Sequence, residues 1–303
     1  MSDFVRDAVD LQVQVDAIGL GAIFALMAVG IGLVFGVMRL VNFAYGQLIM
    51  AGAFALAFAS DRDWPVGIGI ALCFAVVLAL SLAMERVVFR PLRAQSAAAM
   101  LIATFAIAFL LQSIALLWFG PLGRTATSLV ELNRPVSIGS VDVRKITIVA
   151  IVTAAVCLAL LVALLNRTSI GLHMRAAAID SQTARLLGVR ANLVSTVAVL
   201  IAGVLAAVVA VMLTVQFPTV TPTFALQETI LVLAGVVVGG MTRLLSATLG
   251  GFLIGYVSGL LGGALPSSQS QYLPSFVFGL VILVLLLRPD GLFTRGRGLV
   301  ERV

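Results

Sequence analysis

Residues that could carry out acid–base, metal or redox chemistry are few and scattered in this chain. His173 is the only histidine, and Cys73 and Cys157 both lie inside apolar runs. Two cysteines so placed are typical of small buried hydrophobic residues and cannot form a zinc set or a CxxC pair. No His, Asp and Glu side chains cluster at one depth of the apolar runs. The sequence therefore predicts no catalytic, cofactor-binding or metal-binding residue, and we do not expect an enzyme.

Uncharged polar residues inside the apolar runs are the second group that could act on a small solute. We predict that the following residues line a candidate solute path: Asn42, Tyr45, Gln47, Thr104 and Gln112. Residues 42–47 could form a broken helix that lines this path, or an interfacial helix start that Asn42 caps, and the sequence leaves both readings open. Only Glu228 stands near the start of a run, and this scarcity of intramembrane charge argues against proton- or sodium-coupled transport.

The composition shows which elements must position these groups. Of the 303 residues, 61% are hydrophobic and 11% are charged, against about 45–50% and about 25% in soluble domains. The chain is therefore predicted to be an integral membrane protein with an all-α, polytopic bundle. The net charge of +6 comes from scattered basic residues, so nucleic acid is not an expected partner.

Charged residues mark the ends of nine apolar runs, most of them about as long as a bilayer-spanning helix. The runs cover residues 17–38, 40–60, 64–84, 96–119, 146–166, 192–214, 226–242 and two stretches within 244–287 that are separated near 262–269. The second and seventh runs could be broken or re-entrant, so we expect eight or nine spans. Glycines recur at four-residue spacing in several runs, as in Gly251, Gly255 and Gly259. Such spacing favours close helix packing, and it would also suit a sliding interface.

The distribution of charge predicts the orientation of the bundle. With the N terminus outside and nine crossings, 13 of the 19 basic residues fall on the cytoplasmic side. The reversed arrangement would put the same excess outside, so the positive-inside rule favours an external N terminus and a cytoplasmic C terminus.

The loop at residues 167–190 is the most informative segment on the predicted cytoplasmic side. Residues Met174 to Leu187 form an alanine-rich pattern typical of a helix, which Gly188 would end as a left-handed cap. The segment is too short and too polar to cross a bilayer. It could dock on a cytoplasmic partner and transmit movement to the spans, or it could lie among lipid headgroups, and its spacing leaves both open. The chain contains no Walker A pattern, so any ATP-driven process needs a separate subunit.

At this loop the sequence resembles the permease subunits of bacterial branched-chain amino acid ABC importers, the LivH type. Residues 175–180 (RAAAID) and 184–189 (ARLLGV) resemble the family's coupling loop, which docks on the ATPase. Other stretches match the family in the same order along nearly the whole chain: 36–46 (GVMRLVNFAYG), 85–86 (ER) with 90–93 (RPLR), the glycine pairs 239–240 and 250–251, and 288–293 (RPDGLF).

The resemblance implies one transmembrane permease domain over residues 1–303, with the coupling loop at 167–190. The implied partners are a second homologous permease, two cytoplasmic ATPases, an extracytoplasmic solute-binding protein and the lipid bilayer of the bacterial cytoplasmic membrane. This chain is expected to bind no cofactor, because ATP and magnesium belong to the ATPases. The implied ATPase-coupling residues are Arg175, Ala177, Ala178, Asp180, Ala184, Leu187 and Gly188.

The sequence departs from the family at several points that bear on the solute. Tyr45, Gln47 and Ile179 stand where His, Glu and an acidic residue are usual, and residues 246–248 replace a Gly-Ala stretch. Related permeases move urea, short amides or other small solutes, which are therefore the alternatives to a branched-chain amino acid. A stand-alone channel or facilitator is the alternative from another class, and the arginine-rich loop argues against it.

Overall fold

The computed structural model describes residues 11–93, 95–127, 129–138, 141–241, 243–266, 269–289 and 291–293, which are mainly helical. The helix Val66–Met84 continues through a π-helical turn at Glu85–Phe89 to Leu92, and short 3-10 turns lie at Val130–Asn133 and Ser270–Tyr272. The helices are α1 (Leu11–Met38), α2 (Tyr45–Ser60), α3 (Val66–Met84), α4 (Ala97–Phe119), α5 (Lys145–Arg167), α6 (Ser169–Ile179), α7 (Ser181–Leu186), α8 (Ala191–Gln216), α9 (Leu226–Gly239), α10 (Leu244–Ala264) and α11 (Leu273–Leu287).

Each of the nine predicted apolar runs contains a helix. Within the described residues, seven helices are long and apolar enough to cross a membrane, namely α1, α3, α4, α5, α8, α10 and α11. The helices α2 and α9 have 16 and 14 residues, which is shorter than the roughly 20 residues that a span requires. They are the second and seventh runs, the two for which the sequence predicts a broken or re-entrant path.

Short strands between the helices were not part of the all-α prediction. In the described part of the chain, β1 (Arg124–Thr125) pairs antiparallel with β4 (Thr219–Val220), and β2 (Pro135–Ile138) pairs antiparallel with β3 (Val141–Arg144). All of them lie between membrane helices, where backbone groups no longer satisfied within a helix take partners from other segments.

The helices run alternately between two faces of the bundle. The start of α1 lies at the face that carries the strands, where Asp16 contacts Arg144 at 3.4 Å. The ends of α2 and α4 reach the same face, since Asp61 forms an ion pair with Arg124. The end of α1 reaches the opposite face, where α6 and α7 lie and Arg39 contacts α6. We call these the hairpin face and the coupling face. Some charges that entered the orientation count lie outside the described residues: Asp3, Asp7, Asp10, Arg295, Arg297 and Arg302.

The series α1–α2–α3 and α8–α9–α10 repeat one arrangement in opposite directions. Each has a long helix, a non-helical segment, a short helix and a further span. The short helix α2 packs on α8, and the short helix α9 packs on α1. Since α1 runs from the hairpin face to the coupling face and α8 runs the other way, the two series form an inverted repeat, an arrangement common in transporters.

Among the described helices, α1 and α10 share the most extensive contact. A side chain at Gly255 or Gly259 would collide with α1, since a Cβ there would lie 2.7 Å from Phe24 Cβ or 2.5 Å from Ala17 Cα. Gly251, one turn earlier, faces Ala28 in the same way. The four-residue glycine spacing on α10 therefore serves close packing of two backbones.

Candidate functional site: the coupling segment and the polar cluster

The coupling segment, residues 168–188, begins with a tight corner after α5. The Thr168 hydroxyl accepts a hydrogen bond from the Gly171 N–H at 3.1 Å and donates one to the Leu164 carbonyl at 2.6 Å. Gly171 lies directly on α5, and a Cβ there would be 2.5 Å from Leu165 Cα. The threonine cap and the glycine contact therefore fix the direction in which α6 leaves α5.

The single helix predicted over residues 174–187 is wrong at Asp180, where the structure divides it into α6 and α7. Asp180 has an extended backbone with φ −149° and ψ 106°, and its carboxylate accepts the Thr183 N–H at 3.2 Å. It therefore caps α7, a role that aspartate often takes at a helix start. The left-handed conformation predicted for Gly188 is confirmed, with φ +88°.

Most of the predicted coupling residues on α6 and α7 turn towards the bundle. Ala177 and Ala184 are buried, and Ala178 is half-buried. Arg175 is exposed and donates a hydrogen bond to Asn166 Oδ1 at 3.2 Å. The alanines thus allow α6 to lie close to α1, α5 and α8, the helices on which it packs.

The outer surface of the coupling segment exposes large apolar side chains beside the charged side chains of Arg175, Asp180 and Arg185. Ile179, Leu186 and Leu187 are 80%, 88% and 81% exposed. Of these, only Leu187 belongs to the predicted coupling set. The alanine-rich pattern in the sequence corresponds to the inner side of the coupling segment. The two leucines before Gly188 are the sequence feature that indicates its apolar outer surface.

The helix α1 reaches the coupling segment through Arg39. The backbone of Arg39 has φ +53° and turns the chain sharply after α1. Its guanidinium donates a hydrogen bond to the Ile179 carbonyl at 3.1 Å. A helix that is buried along most of its length is therefore tied directly to the end of α6.

A charged cluster that sequence reasoning missed lies where α3 meets α8 at the coupling face. Glu85 is only 1% exposed and forms an ion pair with Arg93. The Thr196 hydroxyl donates to the same carboxylate at 3.3 Å, and Arg93 donates to Asn192 Oδ1 at 2.8 Å. From the sequence, Glu85 marked the end of a run and belonged to the family match of residues 85–86 with 90–93, but it was not predicted to form a site. That match already contained both Glu85 and Arg93.

The polar cluster begins at the start of α2, where Asn42, Tyr45 and Gln47 are all buried. Asn42 Oδ1 accepts the Ala44 N–H at 3.0 Å and closes the turn before α2. The Tyr45 hydroxyl and both amide atoms of Gln47 have no hydrogen-bond partner within the described structure. Buried polar atoms normally have partners, so the atoms of Tyr45 and Gln47 need partners that the described part of this chain does not supply.

Thr104 and Gln112 lie on α4, which runs parallel to α2. Thr104 is buried and Gln112 is half-buried. Two aromatic stacks join the helices, Phe43 with Phe105 at 4.2 Å and Phe54 with Phe119 at 4.4 Å between ring centroids. The structure thus brings three of the predicted path residues together on α2 and places the other two on the helix beside it.

The two short helices meet near their first turns. Gly46 on α2 lies against Thr229 Oγ1 on α9, and a Cβ at Gly46 would be 2.9 Å from the Ala225 carbonyl oxygen. Ala225 precedes α9 in a left-handed conformation, φ +61°. Both helix starts therefore point their positive dipole ends into the bundle, next to the polar cluster.

Within the residues that the structure describes, no three His, Cys, Asp or Glu side chains come together as a metal site would require. Cys73 is buried and Cys157 is half-buried, and both are free thiols. His173 is half-buried on α6.

A family model described as the permease component of branched-chain amino acid transport systems matches residues 14–286. The chain belongs to this family. This permease is 30% identical to BraD of Pseudomonas aeruginosa over 305 residues, which cover 97% of the permease and 98% of BraD. It is 28% identical to LivH of Escherichia coli over 306 residues, 97% of each chain. Both relatives are named high-affinity branched-chain amino acid transport system permease proteins. The permease is a multi-pass protein of the bacterial cytoplasmic membrane.

Two solved structures share the fold of this permease. PsaBC from Streptococcus pneumoniae in complex with Fab aligns with a TM-score of 0.53 and 11% identity over 95% of the permease and 96% of that chain. An inward-facing metal-chelate-type ABC transporter aligns with a TM-score of 0.52 and 18% identity, over 92% and 87% of the two chains. At these identities the likeness shows the fold alone, which is that of an ABC transporter permease.

Proposed function

We propose that this permease forms half of the transmembrane passage of an ABC importer for branched-chain amino acids. BraD and LivH, which it matches over almost their whole length, carry that function in their names. The polar groups of the cluster are neutral hydroxyls and amides. Such groups suit a zwitterion with an aliphatic side chain, because they can pair with both of its charges without holding either as tightly as a charged side chain would.

The observation that carries the proposal is the apolar outer surface of the coupling segment. Ile179, Leu186 and Leu187 are large, exposed and close together in sequence on the face where the helices end. Exposed apolar clusters of this kind mark interaction sites. An ATPase subunit would cover this surface, whereas a stand-alone channel would have no partner for it.

Movement of the ATPases would reach the bundle through α6. The helix α6 packs on α1, α5 and α8, and the Arg39 side chain donates a hydrogen bond to its last residue. These contacts connect the coupling segment to the core of the bundle. ATP and magnesium remain on the ATPases, and this permease supplies no cofactor site. For ATP to drive transport, the ATPases must bind two states of the permease pair with different affinity. Leu187 contributes to the docking contact, Asp180 and Gly188 hold the shape of α7, and Ala177 and Ala184 transmit displacement inward.

The second permease is proposed to cover α4. About half of the described α4 side chains are exposed, and Gln112 and the exposed Ser113 lie well inside this apolar helix, more than one turn from its end. Polar residues at that depth normally face protein or a water-filled passage rather than lipid. A homologous subunit against α4 would supply that environment and place the passage beside the α2–α4 contact.

The solute path is proposed to follow the seam between α2 and α4. Measured from the Phe43–Phe105 stack, Gln47 lies about one helical turn along α2 and Gln112 about two turns along α4. Both amides thus fall between the two aromatic stacks that join these helices, and Thr104 lies beside the first stack, one residue before Phe105. A shift of α4 would expose Gln47 to the passage and give its amide the partners it lacks.

The orientation is proposed to be N-outside and C-inside, with nine helices that cross or partly cross. The coupling face then meets the ATPases in the cytoplasm. The hairpin face, with its strands and the Asp61–Arg124 ion pair, meets the solute-binding protein outside.

Reconstitution of the whole importer in proteoliposomes tests the proposal. Labelled leucine is supplied with the binding protein outside, and ATP or a non-hydrolysable analogue is sealed inside. Uptake should require hydrolysable ATP, survive a protonophore at constant ATP, and be reduced by unlabelled isoleucine or valine but not by urea or acetamide. Uptake with the analogue would favour a channel, and strong competition by urea or acetamide would favour the alternative solutes.

A further inference from the structure

A groove of about 190 Å³ lies at the coupling face, and Arg175 and Ala178 of the predicted coupling set form part of its wall. It lies where the end of α1 meets the end of α5, the inner side of α6 and the start of α10. Most of its wall is apolar, with Val37, Leu165, Met174 and Leu244 among the lining residues. It is separate from the polar cluster and from the outer surface formed by Ile179, Leu186 and Leu187.

The groove exists because of a glycine in the last turns of α1. Gly32 packs against α10, and a Cβ there would lie 3.3 Å from Ala247 Cβ. Gly36, one turn later, has no heavy atom within 4 Å of the position where its Cβ would be. The helix α1 is thus in contact with α10 at Gly32 and leaves an open apolar slot at Gly36.

One arginine lines this slot, and a second directly precedes a lining residue in the sequence. Arg175 lines the groove, and its described side-chain hydrogen bond goes to the neutral amide of Asn166. Arg243 is exposed immediately before Leu244. Neither arginine takes part in an ion pair among the described residues. The charges therefore remain available to an anion from outside the chain.

We propose that this groove binds an anionic phospholipid, with the phosphate on Arg175 and Arg243 and part of one acyl chain along α1 over Gly36. The ends of spanning helices lie at the level of lipid headgroups, where basic pockets between helices recruit anionic lipids. The volume is smaller than the roughly 300–1,000 Å³ of common small-molecule sites, but a slot can hold part of a flexible chain. The lipid would then contact α1 and α6, the same two helices that Arg39 joins.

Lipid binding does not depend on the transported solute, whereas an effect of the lipid on ATP-driven transport would rest on the proposed function. The test therefore measures binding directly. The full-length permease is purified, stripped of lipid in detergent and titrated with phosphatidylglycerol or phosphatidylcholine, and native mass spectrometry counts the lipids that remain bound.

Wild-type permease should retain one phosphatidylglycerol in preference to phosphatidylcholine. Gly36→Leu should abolish this retention, because the new side chain enters the slot from a position where its Cβ meets no heavy atom within 4 Å. Arg175→Gln and Arg243→Gln should each weaken binding about fivefold, the contribution of one arginine near a membrane surface. The matched controls are Gly279→Leu, another glycine with no atom within 4 Å, and Arg288→Gln on the same face, and both should bind as wild type does.

Equal retention of both lipids, or wild-type binding by Gly36→Leu, would overturn the proposal. An equal loss of bound phosphatidylglycerol in Gly279→Leu and Gly36→Leu would also overturn the proposal, because it would show a general effect of the substitutions on the protein. Loss of the lipid when the ATPases are added would mean that an ATPase side chain fills the groove. If binding follows the pattern above while leucine uptake fails, the proposed function is wrong and the lipid site stands.

Discussion

The guanidinium of Arg39 donates a hydrogen bond to the backbone carbonyl of Ile179 at 3.1 Å, across 140 residues of sequence. Arg39 follows α1 and Ile179 ends α6, so this bond joins the central helix of the bundle to the segment proposed to dock on the ATPase. Because the acceptor is a backbone atom, only a change at Arg39 can remove the bond without altering the surface that Ile179 presents.

We expect Arg39→Gln to loosen coupling while the importer still assembles. One exposed hydrogen bond of this kind contributes about 1 kcal/mol, so folding should change little. Solute-stimulated ATP hydrolysis should continue, but the amount of leucine transported per ATP should fall several-fold. Both quantities can be measured in the same proteoliposomes. Arg190→Gln, on the same face, is the control, and an equal fall there would show that loss of any surface arginine has this effect.

The docking surface can be tested with the double variant Leu186→Ser/Leu187→Ser. Both side chains are more than four-fifths exposed in the permease alone, at 88% and 81%. Their replacement should therefore change the free energy of unfolding of the permease by no more than about 0.5 kcal/mol. Co-purification of the ATPases should fall strongly, and transport with it. Leu122→Ser is the matched control, because Leu122 is 90% exposed near the hairpin face. Full retention of the ATPases by the double variant would contradict the docking proposal.

The left-handed backbone of Gly188 provides a separate test of the shape of α7. A residue with a branched Cβ at φ +88° should be strained by about 1–2 kcal/mol, whereas asparagine tolerates this region better. Gly188→Val should therefore lose ATPase binding, and Gly188→Asn should keep most of it. The binding is measured at matched expression. If both variants bind the ATPases equally, the cap does not matter for docking.

Charge spacing predicted the helices well because a charged side chain is costly in hydrocarbon and so marks the ends of an apolar run. It did not separate α2 from the long spans, because the second run has 21 uncharged residues; the polar residues 42–47 pointed to a broken helix there. The same reasoning failed for Glu85, because its burial depends on Arg93 and Thr196, and which partners meet at a helix end is decided by tertiary packing. The strands β2 and β3 were missed for a similar reason, since they arise from pairing within a loop rather than from apolar periodicity.

The coupling segment was found from sequence, but its orientation was not. A helix rich in alanine presents no strong apolar face, so the pattern could not tell whether Ala177 and Ala184 point to the core or to a partner. The break at Asp180 was easier to predict from the sequence. An aspartate three residues before Thr183 matches the pattern of a residue that caps the start of a helix. A prediction based on caps would have divided the helix at this position.

The orientation of the bundle is open to a labelling test. In a variant without native cysteines, Asp180→Cys and Glu131→Cys place single thiols at exposed positions on the coupling face and beside the hairpin strands. An impermeant reagent added to sealed cells should label position 131 alone, and label at position 180 should appear only after the membrane is opened. Labelling of position 180 from outside would reverse the proposed topology.

The unpartnered amide of Gln47 leads to the last prediction, which separates a functional role from a structural one. A buried amide without partners destabilises the folded state by about 1–3 kcal/mol, and leucine has a similar volume. Gln47→Leu should therefore raise the thermal unfolding midpoint of the purified permease while lowering leucine uptake by the importer. Asn42→Leu is the matched contrast. Asn42 Oδ1 accepts the Ala44 N–H at 3.0 Å, and a buried N–H left without its acceptor costs about 1–3 kcal/mol, so that midpoint should fall. A structural role for Gln47 predicts the same fall in both variants, and unchanged uptake in Gln47→Leu would remove this residue from the solute path.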